Sequence, residues 1–192
     1  LVFFHGLDTC DPGHDFDANK VAKVFELDKQ VEASKGEIAL VAPALYWRVA
    51  IKLKPDKSNE KEVKESQDKA AENKAAIKKA WSAAPLNAFV EEVLDKIGEK
   101  SSSRPNLRHL ILAGHSRAYD VLTPLATEFI GGGADTGKGA LKQLEKVLAL
   151  DTTYGLNHAG MLKKWAEKAG RVKFLLVLSQ NGYDPAKNDC KS

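Results

Sequence analysis

The sequence predicts an α/β fold: a three-layer, doubly wound sandwich on a mostly parallel sheet of about five strands, formed by a single domain over residues 1–192. Three observations predict it. Five short β-rich runs punctuate the chain, each apolar on both faces, as strands are when helices cover a parallel sheet on either side. Helical patterns separate the runs, and strand–helix alternation is the mark of this class. The chain has 192 residues and 43% hydrophobic content, enough to bury one sizeable core, with no shift in composition that would mark a second.

Taken in order, the first two runs are Leu1–Phe4 and Ile38–Ala42. The stretch Pro55–Lys79 is so rich in charge and so poor in large apolar residues that it reads as a solvated helix or a charged helical insertion around 55–80. Leu86, Phe89, Val90, Val93, Leu94 and Ile97 then recur at the spacing of one apolar helix face. The third run is Leu107–Ala113, followed by a helix whose face carries Ala118, Val121, Leu122 and Leu125. Pro124 inside that helix removes one backbone hydrogen bond and is expected to kink it. A glycine-rich connection leads to the fourth run, Lys146–Leu150, and the fifth is Val172–Leu178.

Charge and composition narrow the partners. With 29 Lys+Arg against 26 Asp+Glu, the net charge of +3 is small and its signs are interspersed, which points away from nucleic acid and toward a small molecule. Nowhere do 18 consecutive apolar residues suggest a membrane span. The opening Leu1-Val2-Phe3-Phe4 has neither an initiator Met nor a basic flank, and reads as a processed chain or a fragment. Cys10 and Cys190 could form one disulfide or remain free. Both follow strand ends at one edge of the sheet, but about three strands apart, so free thiols are expected. The acids Asp8, Asp11, Asp15 and Asp17 lack the spacing of a calcium loop and read as solvated loop residues, so neither metal nor cofactor is implied.

The chemistry is concentrated in "LILAGHSRAYDVL", residues 110–122. Ser116 stands where a strand becomes a helix, and the residues two before and two after it, Gly114 and Ala118, are small. A tight, crowded turn requires both. This is a G-x-S-x-A form of the nucleophile elbow. The first run ends in His5-Gly6-Leu7, where the backbone can approach a substrate closely. If the strands follow the common order 2-1-3-4-5 in chain numbering, strands one and three are neighbours at the switch point and this loop lies beside Ser116. The N–H groups of Leu7 and Arg117 then converge as an oxyanion hole.

"FFHGL", then "AGHSRA", then "LALDTTYG" together resemble the α/β-hydrolase superfamily over nearly the whole chain. The last segment is similar to a subset of these hydrolases in which an Asp ends a strand and a Tyr-Gly follows. The resemblance implies an α/β-hydrolase-like core with Ser116 as nucleophile, Asp151 as triad acid, and Leu7 and Arg117 as oxyanion donors. Asp at a strand end also serves as an ordinary helix N-cap or turn residue. Two positions depart from the pattern: Ala118 stands where Gly is usual, and Arg117, which follows the serine directly, could meet an anionic substrate or a surface carboxylate. The family usually supplies its general base, a His, beyond one further strand after Val172–Leu178, and the sequence has no His past His158.

The histidines sort by position. His109 begins a strand, opposite the chemistry, while His115 and His5 belong to the packing of the elbow and to the oxyanion loop. His14, in a turn-rich loop, and His158, near the start of the helix after Asp151, both open on the catalytic face. His158 is the better candidate for the base. Its place at a helix N-terminus disfavours the cationic form, so a neutral capping or packing role is also open. A rival motif, Gly132 to Lys138, satisfies half of a P-loop, but Gly139 replaces the Ser or Thr that would hold Mg²⁺ and a helix precedes it instead of a strand. The expectation is a cofactor-free serine hydrolase cleaving a carboxylic ester, or an amide, through an acyl-enzyme on Ser116. A catalytically impaired hydrolase-like binding protein or fragment is the alternative, and a P-loop-like nucleotide binder a third reading.

Overall fold

A computed structural model describes residues 1–4, 23, 26–35, 38–43, 56–152 and 156–177. Its elements are β1 (Val2–Phe4), α1 (Leu27–Ala33), α2 (Glu60–Ala80), α3 (Ala83–Lys100), β2 (Leu110–His115), α4 (Tyr119–Gly131), β3 (Leu144–Leu150), α5 (Leu156–Ala169) and β4 (Lys173–Val177). Short 3₁₀ turns at Ser116–Ala118 and Gly139–Gln143 lead into α4 and β3. The class is α/β, with four parallel strands among the described residues, in the order β1-β2-β3-β4, and helices packed on them.

The run Ile38–Ala42, expected as a strand, contributes one parallel bridge, Val41 to Val2. Phe3 N–H donates to the Val41 carbonyl at 2.8 Å and Val41 N–H to the Leu1 carbonyl at 2.9 Å. Successive peptide groups of a strand point to opposite sides, so residues 1 and 3 bond to this segment while the other edge of β1 pairs with β2. The first and third runs are therefore neighbours, as in the common order supposed from the sequence.

Side-chain alternation divides the core between the two faces of the sheet. Val2, Phe4, Leu110, Leu112, Val147 and Ala149 meet the buried faces of α2 to α5, with Phe4, Leu86, Leu112, Leu125 and Trp165 fully enclosed. Phe3 and Ala113 point the other way, against Leu27 of α1. Each step from β1 to β4 moves in one direction, and right-handed crossovers then place their helices on one face. The reverse step to Val41 brings α1 to the other.

Local chemistry explains the ends of the helices. Asn59 Oδ1 accepts from Glu62 N–H at the start of α2, which is solvated as its charge implied and buries only Asn73 and Ile77. The N-terminus of α3 is capped from a distance: Ala83 N–H donates to Glu128 Oε2 of α4 at 2.9 Å. At its other end Arg104 pairs with Glu91 and Asp95, turning the chain back toward β2. Pro124 lies inside α4. Gly132 follows that helix at φ 70°, with its N–H on the Phe129 carbonyl and that of Gly133 on the Glu128 carbonyl, a Schellman stop.

One strand departs from expectation. The pattern of β4 predicts a strand covered on both faces, yet Leu175, Leu176 and Val177 are 53%, 43% and 45% exposed. Among the described residues it is the edge of the sheet, and only Phe174 reaches the core, edge-on to Trp165 with ring centroids 5.2 Å apart. Burial of both faces requires helices on both sides, and α5 covers one.

Candidate active site

The site begins with the crowding around one turn. Strand β2 runs to His115, two residues further than its apolar run implied, and Ser116 follows at φ 52° in the left-handed region. A non-glycine residue held there costs on the order of 1–3 kcal/mol. The surrounding packing keeps it there. A Cβ on Gly114 would stand 2.8 Å from Leu122 Cδ1 and 3.0 Å from Ala118 Cβ, so the strand can approach the start of α4 only because position 114 has no side chain. Ala118 is itself wholly buried. Both small residues flanking the serine are thus demanded by contact.

Asp151 occupies the matching place on the next strand. His115 pairs in register with Leu150, so Ser116 and Asp151 are each one residue past the ends of adjacent parallel strands, roughly 5 Å apart in strand spacing. Asp151 also has φ 52°, and its N–H donates to the Val177 carbonyl at 2.7 Å, extending the β3–β4 ladder by one rung. Helix α5 starts only at Leu156, so Asp151 is a turn residue and not that helix's N-cap. Its charge is felt by His115. Burial pushes the His115 imidazole below the usual histidine range, and the Asp151 carboxylate opposes that by raising it.

His158 is the third residue of α5, and its ring stacks on that of Tyr119, the first residue of α4, with centroids 4.5 Å apart and planes 22° from parallel. Its Nδ1 is buried without a hydrogen-bond partner among the described residues. The structure therefore brings Ser116 and Asp151 to one edge and joins His158 to the first residue of α4, the helix that follows the Ser116 turn, but among the described residues it gives His158 Nδ1 no carboxylate. Thr152, 1% exposed, likewise buries its Oγ1 with no partner among the described residues. Sequence reasoning missed Tyr119 and Thr152. An aromatic residue one turn after Ser116 was the available signal for the first; nothing local marked the second.

Arg117 sits within the 3₁₀ turn directly after Ser116. His5, Gly6, Leu7, Cys10, His14, Cys190 and the acids at 8, 11, 15 and 17 lie outside the described residues. His109 bonds Glu145 at 2.7 Å where β2 and β3 start, at the opposite edge from Ser116. The Gly132–Lys138 run lies between a helix and a 3₁₀ turn, and Asn87 of α3 ties the run to that turn. Its Nδ2 donates to the Asp135 carbonyl at 3.0 Å and its Oδ1 accepts from Leu141 N–H at 2.8 Å. Among the described residues there is no group of three or more His, Cys, Asp or Glu arranged to hold a metal, and no helix is long and apolar enough to cross a membrane. No protein-family model, curated protein or solved structure matches the chain.

Proposed function

We propose that the chain is a serine hydrolase with an α/β-hydrolase-like core, acting on a carboxylic ester or amide. The observation that carries this reading is Ser116 held at φ 52° between a buried parallel strand and a helix, with Gly114 and Ala118 in contact around it. Backbone strain maintained by packing at the carboxyl end of a central strand is what an exposed, oriented nucleophile requires. Ser116 Oγ bonds to the carbonyl carbon as its proton passes to an imidazole, for which His158 is the candidate. The proton is then given to the leaving alcohol or amine, and water repeats the sequence to release the acid. Asp151, at the neighbouring strand end, supplies negative charge that favours an imidazolium formed at this edge. The N–H groups of Leu7 and Arg117 are the donors assigned to the oxyanion, worth about 3–4 kcal/mol each where such donors have been removed.

A second reading draws on one observation: His158 Nδ1 has no carboxylate among the described residues, which favours a hydrolase-like binding protein with an incomplete triad. Labelling of the folded chain with a fluorophosphonate, followed by peptide mapping, separates the two. Modification at Ser116, absent in Ser116→Ala, together with turnover of a nitrophenyl ester supports the hydrolase. Labelling that persists unchanged in Ser116→Ala removes the nucleophile assignment, and a folded chain that does not label at all favours the binding protein.

A further inference from the structure

We infer that Tyr119 is a positioning residue, which by ring stacking holds His158 for proton transfer from Ser116 in the role a carboxylate usually plays. This rests on the hydrolase reading. Three observations lead to it. The two rings lie nearly parallel at stacking distance, which fixes the plane of the imidazole. The imidazole has no other orienting contact at Nδ1, which is buried and without a hydrogen-bond partner among the described residues. And Tyr119 stands three residues after Ser116, at the point where the 3₁₀ turn Ser116–Ala118 becomes α4.

That placement joins the stack to the chemistry. Nucleophile and stacking platform are carried by one rigid turn, locked by Ala118 against Gly114, so whatever fixes His158 to Tyr119 also fixes it relative to Ser116. Helices α4 and α5 are packed together, which keeps the platform in register with its ring. A histidine on the first turn of a helix otherwise samples several rotamers, most of them unproductive. With Nδ1 buried, the nitrogen that takes the serine proton is Nε2. Oγ bonds to the electrophile as its proton moves to Nε2, and for a fluorophosphonate the fluoride leaves with the electron pair of the P–F bond.

The test is the second-order rate at which a fluorophosphonate modifies Ser116 in the full chain, with folding checked by circular dichroism. Tyr119→Leu should slow modification about tenfold or more, the scale of a misplaced catalytic group. Tyr119→Phe, which keeps the ring and loses the hydroxyl, should recover the rate to within about threefold, because the ring face provides the contact. His158→Ala should be slow, and adding Tyr119→Leu to it should cost nothing more, since two residues acting as a unit are not additive. Should Tyr119→Leu fail to fold, Tyr119→Met, whose unbranched side chain adapts to an irregular gap without supplying a ring face, carries the same expectation. A parental rate in Tyr119→Leu or Tyr119→Met overturns the inference while leaving the nucleophile intact, as does a double variant in which the two losses multiply. A parent chain unmodified at Ser116 removes the hydrolase reading itself, and this inference with it.

Discussion

At the β2–α4 junction the chain turns from strand to helix within Ser116–Ala118, whereas at the β3–α5 junction residues 151–155 intervene. Both junctions place a non-glycine residue at φ 52° immediately after the strand, yet they hold it by different means. At Ser116 the restraint is steric: Gly114, Ala118 and Leu122 close around the turn. At Asp151 it is a hydrogen bond, the N–H to the Val177 carbonyl that continues the ladder. A sterically locked turn fixes a side chain relative to the helix that comes after it. A ladder bond fixes the backbone where the strand ends. In the proposed hydrolase, the first arrangement suits the nucleophile and the second a charge that need only be nearby.

Breaking the steric lock should produce the largest effect. Gly114→Val places methyl groups where even a Cβ stands 2.8 Å from Leu122, so the turn must open or the helix shift. A loss of about 3 kcal/mol in stability, at the upper end for overpacking, is expected from urea unfolding, with fluorophosphonate labelling falling alongside it. A Gly114→Val chain that unfolds and labels like the parent would show that packing does not hold the turn.

Relieving the strain sharpens the comparison from the other side. Ser116→Gly removes the Cβ from a left-handed residue and should raise stability by about 0.5–1 kcal/mol while abolishing labelling. Asp151→Gly should gain less, because aspartate tolerates this conformation better than most residues. Thermal unfolding of the two variants beside the parent checks the order. A larger gain at Asp151 would reverse the assignment of strain to Ser116.

The smallest effect concerns the electrostatic coupling between the junctions. Burial depresses the His115 pKa below its unfolded value, so the folded state binds the proton less readily than the unfolded one. His115 therefore contributes stability that is present above the ordinary histidine pKa of about 6.5 and is lost as pH falls through the lower, folded value. His115→Gln should flatten the stability profile in that window. Asp151→Asn should steepen it, since the carboxylate is what raises the His115 pKa against burial. Urea unfolding on either side of the ordinary histidine pKa, at about pH 7.5 and about pH 5.5, distinguishes these outcomes, and a parental slope in His115→Gln would assign the dependence to another group.

Much of this was legible in the residues. Of the apolar face expected on α3, Leu86, Val90 and Leu94 are buried while Phe89, Val93 and Ile97 are half-buried, and the charged stretch before it is a solvated helix. The small residues at 114 and 118 mark a turn whose crowding is measurable in contact distances. Other features left no local trace. β4 has the same apolar composition as a central strand, and only its place at the edge of the described sheet exposes it. The cap on α3 comes from Glu128, forty-five residues along the chain. The Tyr119–His158 stack joins the starts of two helices separated by a whole strand.

The sequence by itself determined the α/β class, the alternation of elements and the strained serine. These depend on side-chain periodicity and on sterics within a few residues, which hold wherever the segment ends up. Only the tertiary structure decided which strand is an edge, which carboxylate caps which helix, and which ring meets His158. Those contacts join residues far apart in the chain, and crossover direction and helix packing bring them together, so no window of sequence contains both partners.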